Sequence, residues 1–267
     1  MKRIEQKFLT LKNQKKCAFV AYLCGGDPDY KTSLSSLKIL AQNGADIIEI
    51  GVPFLDPAGD GPTIENASKR AIKNGMDLKK TLQLVSDFRQ FNQTIPIILM
   101  TYFNPLFKFG LSTIFKECAS SGVDGILIVD LPYEEESPII AEISANNLDL
   151  IRLIAPTTSD LRIKKILNNA SGFVYLISML GITGTKLAKI EDNIDNYHNL
   201  RKLTDLPIVI GFGIQNEIQA HEFSKIGTDG VVIGSAIVKE ISENLPTSTI
   251  LQNIEKKVAQ FCKAIKS

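Results

Sequence analysis

No charge of either sign dominates this sequence: 30 lysines and arginines against 29 aspartates and glutamates leave a formal net charge of +1. No global field draws nucleic acid or anionic lipid, so an anionic ligand must be held by a local site. Cysteine is scarce. Cys17, Cys24, Cys118 and Cys262 form no C-x-x-C pair and do not cluster with histidine. They read as reduced, structural thiols of a cytoplasmic protein, with no metal site expected. Histidine is scarcer still, with His198 and His221 both in helical or loop contexts. No apolar run approaches the ~18 residues that a membrane span needs. The first residues, MKRIEQKFLTLKNQKK, lack the continuous apolar core of a secretory signal. Instead Ile4, Phe8 and Leu11, at helical spacing, predict a short amphipathic helix packed on the body. No linker and no low-complexity segment is visible.

What is present is regular. With 44% hydrophobic residues the chain can bury a full core. Short Ile- and Val-rich runs recur at Ala18–Leu23, Asp46–Gly51, Ile97–Met100, Gly125–Val129, Leu148–Ile154, Phe173–Ile177, Pro207–Gly211 and Gly230–Ile233. Most lack polar alternation, as strands of a parallel sheet covered on both faces do. Helical patterns sit between them at Tyr30–Asn43, Leu78–Phe91, Ser112–Ser120, Glu136–Asn146, Ser159–Asn169, Ile194–Leu203 and Gln215–Lys225, and a last one covers Ile250–Ile265. About eight β–α units close a barrel. The predicted fold is α/β, a single (β/α)8 TIM barrel over residues 1–267 with an extra N-terminal helix. The rival, an open doubly wound sheet, would want a glycine-rich fingerprint after the first strand. Cys24-Gly25-Gly26-Asp27-Pro28 reads instead as a turn, with Asp27 capping a helix that Pro28 helps to start. The βα connections after strands 2 (Val52–Pro62) and 6 (Ser178 to about Asn193) are long, which makes them lid candidates on the catalytic face.

Glu49 lies inside Ile47-Ile48-Glu49-Ile50-Gly51, where a charged carboxylate is costly unless paired or held neutral. Two readings are open: a buried ion pair, with Arg152 on strand 5 as partner, or a general acid/base of raised pKa at a barrel mouth. Asp60, before Gly61-Pro62, is either a helix cap or a second working carboxylate, and its loop's place above Glu49 favours the second. Tyr175 within strand 6 is either core or a phenol that needs a polar partner such as a catalytic carboxylate. Gly211-Phe212-Gly213 ends strand 7, and Gly234-Ser235 ends strand 8 where a helix begins. Loops after strands 7 and 8 plus a helix N-terminus make the usual barrel phosphate site, with Thr183-Gly184 able to close over it. Other barrel chemistries lack their residues. No strand carries the histidines of a metal-dependent epimerase or the lysine of a Schiff-base aldolase, and strand 1 has no aspartate.

The segment Asp46-Ile47-Ile48-Glu49-Ile50-Gly51-Val52-Pro53-Phe54, then Asp56-Pro57, Asp60-Gly61-Pro62 and Ile64, resembles the signature of tryptophan synthase α subunits. So do Gly26-Asp27-Pro28, Met100-Thr101-Tyr102-Phe103-Asn104-Pro105, Val129-Asp130-Leu131-Pro132, Pro156-Thr157-Thr158, Gly181-Ile182-Thr183-Gly184, Gly211-Phe212-Gly213-Ile214 and Gly234-Ser235-Ala236, in order along nearly the whole chain. The resemblance implies a lyase of tryptophan biosynthesis that splits indole-3-glycerol phosphate by a retro-aldol step into indole and glyceraldehyde 3-phosphate. It implies that Glu49 and Asp60 are catalytic, with Tyr175 orienting Glu49. Thr183, Gly184, Gly213, Gly234 and Ser235 would hold the phosphate. Tyr22, Met100, Leu127, Val129, Leu153 and Phe212 would form the indole slot. No cofactor or metal is implied in this chain; pyridoxal phosphate belongs to a partner β subunit in an αββα tetramer. Residues 53–60, Asn104–Phe107 and Pro132–Glu134 match the segments that meet that partner. The pattern departs at Leu55, where Ser or Thr is commoner, at Gly59, where Ala is usual, at Met179, often Arg, and at Tyr22, often Phe. Leu55 and Gly59 are expected to loosen the Asp60 loop. They motivate a second reading, a barrel kept mainly as an allosteric and binding subunit with weak catalysis. A third is a lyase that works alone and releases free indole.

Overall fold

Strands that are apolar on both faces must be walled from water on both sides, and a closed parallel barrel with helices outside does that. In the computed structural model, residues 1–178, 190–211, 213–243 and 249–267 are described. Eight strands, β1 (Ala18–Cys24), β2 (Ile47–Gly51), β3 (Ile97–Thr101), β4 (Gly125–Ile128), β5 (Asp149–Ile154), β6 (Val174–Ile177), β7 (Ile208–Gly211) and β8 (Gly230–Ile233), pair in sequence order. All neighbours are parallel, and β8 returns to β1. The barrel predicted from the alternating pattern is therefore the fold found, and the open sheet is excluded.

Helix α1 (Arg3–Asn13) precedes the barrel, as its spacing predicts. Ile4, Phe8 and Leu11 join one buried cluster with the inward side chains Ala18, Val20, Ile47, Ile98, Leu127, Ile151, Phe173 and Val209. The helix thus plugs the barrel's amino-terminal end. The outer helices α2 (Tyr30–Gln42), α3 (Pro62–Lys73), α4 (Leu78–Phe91), α5 (Phe103–Phe109), α6 (Leu111–Ser121), α7 (Ser137–Ala145), α8 (Asp160–Leu167), α9 (Ile190–Arg201), α10 (Glu217–Lys225), α11 (Ser235–Glu243) and α12 (Ile250–Lys266) cover the sheet. A second and larger cluster fills the space between them and the outward strand residues. One expectation at the first βα turn is corrected. Asp29, not Asp27, caps α2, its carboxylate accepting from the Thr32 N–H at 2.9 Å. Asp27 is fully buried and takes a bidentate pair from Arg70 of α3, both contacts at 2.8 Å. Both aspartates of Asp27-Pro28-Asp29 can cap, and the one that can reach Arg70 forms the pair.

A repeated device closes the amino-terminal face. Gly44, Gly122 and Gly227 follow α2, α6 and α10 with φ of +98°, +94° and +95°, the left-handed exit that glycine permits. Two residues on, Asp46, Asp124 and Asp229 each turn a carboxylate back to the neighbouring strand. They accept from the N–H groups of Phe19 (3.0 Å), Ile97 (2.8 Å) and Ile208 (2.8 Å). Each also holds a cation: Lys266, Arg89 and Arg201 respectively. This end of the barrel is braced by ion pairs.

Candidate active site

Successive side chains of a strand point to opposite faces. On β2 this sends Ile48 and Ile50 outward to the helices and Ile47 and Glu49 into the barrel. Glu49 is 3% exposed, and its Oε1 has no hydrogen-bond partner among the described residues. The ion-pair reading with Arg152 fails on the same alternation. Ile151 belongs to the inner cluster, so Arg152 faces outward, where it pairs with Glu136. Asn169 supports that pair, its amide donating to Glu136 at 2.6 Å. With no cation beside it among the described residues, Glu49 is pushed up to about 8 by burial, and the charge of Asp60 adds to the shift. It carries a proton at neutral pH and can give it up, which a general acid/base requires.

Asp60 lies in the ten-residue connection between β2 and α3. Helix α3 begins at Pro62 with Gly61 at its N-cap position and no side-chain cap, so the helix-cap reading of Asp60 is set aside. Burial raises its carboxyl to about 6, a hydrogen bond with Tyr102 works against that rise, and the charge of Glu65 adds to it. At neutral pH Asp60 is an anion facing a protonated Glu49: two carboxyls whose environments divide them into acid and base.

Tyr102 is the residue that sequence reasoning passed over. It is 4% exposed, immediately past β3, with the inward parity of Ile98 and Met100. Its hydroxyl accepts from the Gly59 N–H at 3.1 Å and hydrogen-bonds the Asp60 carboxylate. Its ring packs on Phe54 at 5.3 Å between centroids. Two ends of the catalytic loop therefore rest on one phenol. The Gly59 N–H is anchored here, a contact that works against the loosening expected of glycine at this position. A signal was available in the sequence: an inward-parity tyrosine at a strand's carboxyl end.

Tyr175 points inward from β6, and its phenol is held well above the usual range by burial and by the charge of Glu49. Tyr22 is raised likewise, by burial and then by the charges of Cys24, Asp60 and Glu49. Each phenol lies over a glycine of the next strand. A Cβ on Gly51 would meet the Tyr22 hydroxyl at 2.2 Å, and one on Gly211 would meet that of Tyr175 at 2.3 Å. Met100, Leu127, Val129 and Leu153 belong to the same inner cluster as Tyr175. The Tyr22 ring lies against Gly234, where an added Cβ would approach it to 3.2 Å. Gly213, with φ of +81°, and the pair Gly234-Ser235 follow the adjacent strands β7 and β8, with Ser235 opening α11. Thr183, Gly184, Phe212 and Met179, together with most of the long connection after β6, lie outside the described residues.

One mouth thus gathers two carboxyls of divided pKa, an apolar slot and a glycine-lined helix start. The family profile described as tryptophan synthase alpha chain matches residues 8–266. The chain belongs to the tryptophan synthase alpha chain family. It is 45% identical over 271 residues to the tryptophan synthase alpha chain of Granulibacter bethesdensis, covering 100% of this chain and 97% of the relative. To that of Caulobacter vibrioides it is 43% identical over 266 residues, covering 99% and 96%. The crystal structure of tryptophan synthase subunit alpha from Legionella pneumophila superimposes with a TM-score of 0.93 at 31% identity, covering 99% of this chain and 98% of that one. The tryptophan synthase alpha chain family cleaves indole-3-glycerol phosphate, a lyase activity of tryptophan biosynthesis, and partners a beta subunit.

Proposed function

We propose that Glu49 and Asp60 perform the retro-aldol cleavage of indole-3-glycerol phosphate in this chain, residues 1–267 acting as one domain. The observation that carries the assignment is a buried, protonated Glu49, its Oε1 without a partner among the described residues, beside an ionised Asp60. Glu49 delivers its proton to the indole ring carbon that bears the glycerol chain. Asp60 accepts the indole N–H and stabilises the positive ring that results. The carbon–carbon bond then breaks, and the carboxylate left on Glu49 takes the proton of the adjacent glycerol hydroxyl as it becomes the aldehyde. Tyr175 orients Glu49 between the two transfers. Tyr22, Met100, Leu127, Val129, Leu153 and Phe212 enclose the indole. Gly213, Gly234 and Ser235, with Thr183 and Gly184, hold the phosphate at the start of α11, where backbone N–H groups and the helix dipole favour an anion.

The cleavage rate should follow a bell in pH. Its acid limb lies near 6, where Asp60 gains a proton, and its alkaline limb near 8, where Glu49 loses one. Because the charge of Asp60 helps to raise Glu49, Asp60→Asn should move the alkaline limb of the residual activity downward. An unmoved limb would detach the two carboxyls. Ser235→Ala should raise KM for indole-3-glycerol phosphate and leave kcat nearly intact, since the phosphate is remote from the bond broken. A selective fall in kcat would count against the phosphate role.

The partner is a pyridoxal-phosphate β subunit in an αββα tetramer, and the site of action is the cytoplasm. Leu55 and Phe107, each 63% exposed, lie in two of the three segments expected at that interface. Apolar side chains left in water beside a catalytic loop suit a docking face. The loop's attachment to Tyr102 favours a catalytic subunit over one kept for allostery alone.

A further inference from the structure

The backbone of Gly59 does not require glycine, for it is not among the positive-φ glycines. Its surroundings do. A Cβ built on Gly59 would lie 2.9 Å from Cγ1 of Val129 and 3.5 Å from the Tyr102 hydroxyl. The second distance is ordinary contact; the first is a clash. Val129 cannot give way easily. Its backbone N–H is fixed to Thr101 O of β3 at 2.9 Å. Its branched side chain is stiff about χ1 and packs on the inner cluster that Leu127 belongs to. The methyl that alanine would bring to the loop is supplied from the opposite wall by valine. In this seat the Gly59 N–H donates to the Tyr102 hydroxyl at 3.1 Å.

We propose that Gly59 and Val129 are a matched steric pair that seats the Asp60-bearing loop on Tyr102, and that all three are positioning residues for Asp60. The inference rests on the catalytic reading of Asp60 given above. Adding a methyl at 59 lifts the loop from Tyr102 and carries the next residue, Asp60, out of register with the substrate. Trimming Val129 makes room for the methyl and returns the loop to its seat.

The test is a set of four variants, Gly59→Ala, Val129→Ala, the double Gly59→Ala with Val129→Ala, and Tyr102→Phe, compared with the parent. Two properties are read: indole release, as kcat and KM separately, and amide hydrogen exchange over residues 53–61, which needs no turnover. Gly59→Ala should lower kcat by roughly 10- to 100-fold, since a displacement of about 1 Å can cost that much, with little change in KM, and should speed exchange in the loop. The double variant should return to within roughly threefold of Val129→Ala in kcat and to parent-like exchange, the signature of directly coupled residues. Tyr102→Phe, which keeps the ring and removes the seat, should resemble Gly59→Ala, and Val129→Ala should not repair it. Losses that multiply independently in the double variant would overturn the pairing, as would a Gly59→Ala protein with parent kcat and exchange. If exchange followed the expected pattern while the parent released no indole, the seat would stand and the lyase assignment would fall.

Discussion

Replacing Glu49 with glutamine should lower kcat for indole release by roughly 10²- to 10⁴-fold, the usual contribution of a positioned general acid/base. Affinity for a phosphate-bearing substrate analogue should hardly change, because glutamine fills the same space and the phosphate is bound elsewhere. The same variant should differ in stability in a pH-dependent way. In the folded protein Glu49 titrates at about 8; in the unfolded chain a glutamate titrates near ~4.3. Between those values the folded state keeps a proton that the unfolded state has lost. The contribution is fully present below the unfolded value and is lost as pH rises through the folded one. The parent must therefore weaken across that interval, whereas glutamine has no proton to lose. The melting temperature of Glu49→Gln should gain steadily on the parent from about pH 5 to about pH 8 and then level off. Full activity in the variant would remove Glu49 from the chemistry. Parallel melting curves across that range would mean that the carboxyl is not held neutral, and the acid role would lose its physical basis.

Glu49 was legible because an acid inside a dry strand is an anomaly under any fold, and Asp60 because its loop had to lie above it once the barrel was drawn. Gly213, Gly234 and Ser235 could be brought together from strand order alone, since β7 and β8 must be neighbours. The strand limits came within a residue or two because buried β runs are bounded by glycine, proline and helix starts. Other features needed coordinates. Helices α3 and α5 were not delimited and α11 was given only its start, their patterns being interrupted by the proline- and glycine-rich loops that carry function. Arg152 was offered to Glu49 on charge alone, although counting alternate residues on β5 would have turned it outward. Tyr102 was hidden for a different reason. A buried tyrosine is ordinary core until the hydroxyl's partners are known, and those partners, Gly59 and Asp60, are 43 and 42 positions away in the chain. The close approach of Val129 to position 59 is likewise invisible until the fold is drawn.

The largest stability effect should come from the opposite end of the barrel. The Asp124 carboxylate meets Arg89 at 2.7 Å, with both side chains under 10% exposed. It also binds Arg3 at 2.7 Å and accepts the Ile97 N–H at 2.8 Å. Arg89 donates further to the carbonyls of Gly122 and Ile95, at 2.9 Å and 2.7 Å, and burial lowers its pKa to about 10. Asp124→Ala would leave a buried guanidinium without its anion and a strand N–H without an acceptor. Removing one partner of such a pair costs roughly 3–5 kcal/mol, a fall in melting temperature of about 6–20 °C for a chain of this size. Lys239→Ala, which breaks the exposed pair with Glu243, should change stability by less than about 1 kcal/mol. Indole release by Asp124→Ala, measured well below its melting temperature, should keep the parent kcat, because no group near Asp124 touches the substrate. A small thermal effect would show that water or a shifted backbone replaces the carboxylate. A large fall in kcat at a temperature where the protein is folded would contradict the division of labour drawn here, in which the Asp46, Asp124 and Asp229 pairs at one end of the barrel serve stability and Glu49 and Asp60 at the other serve catalysis.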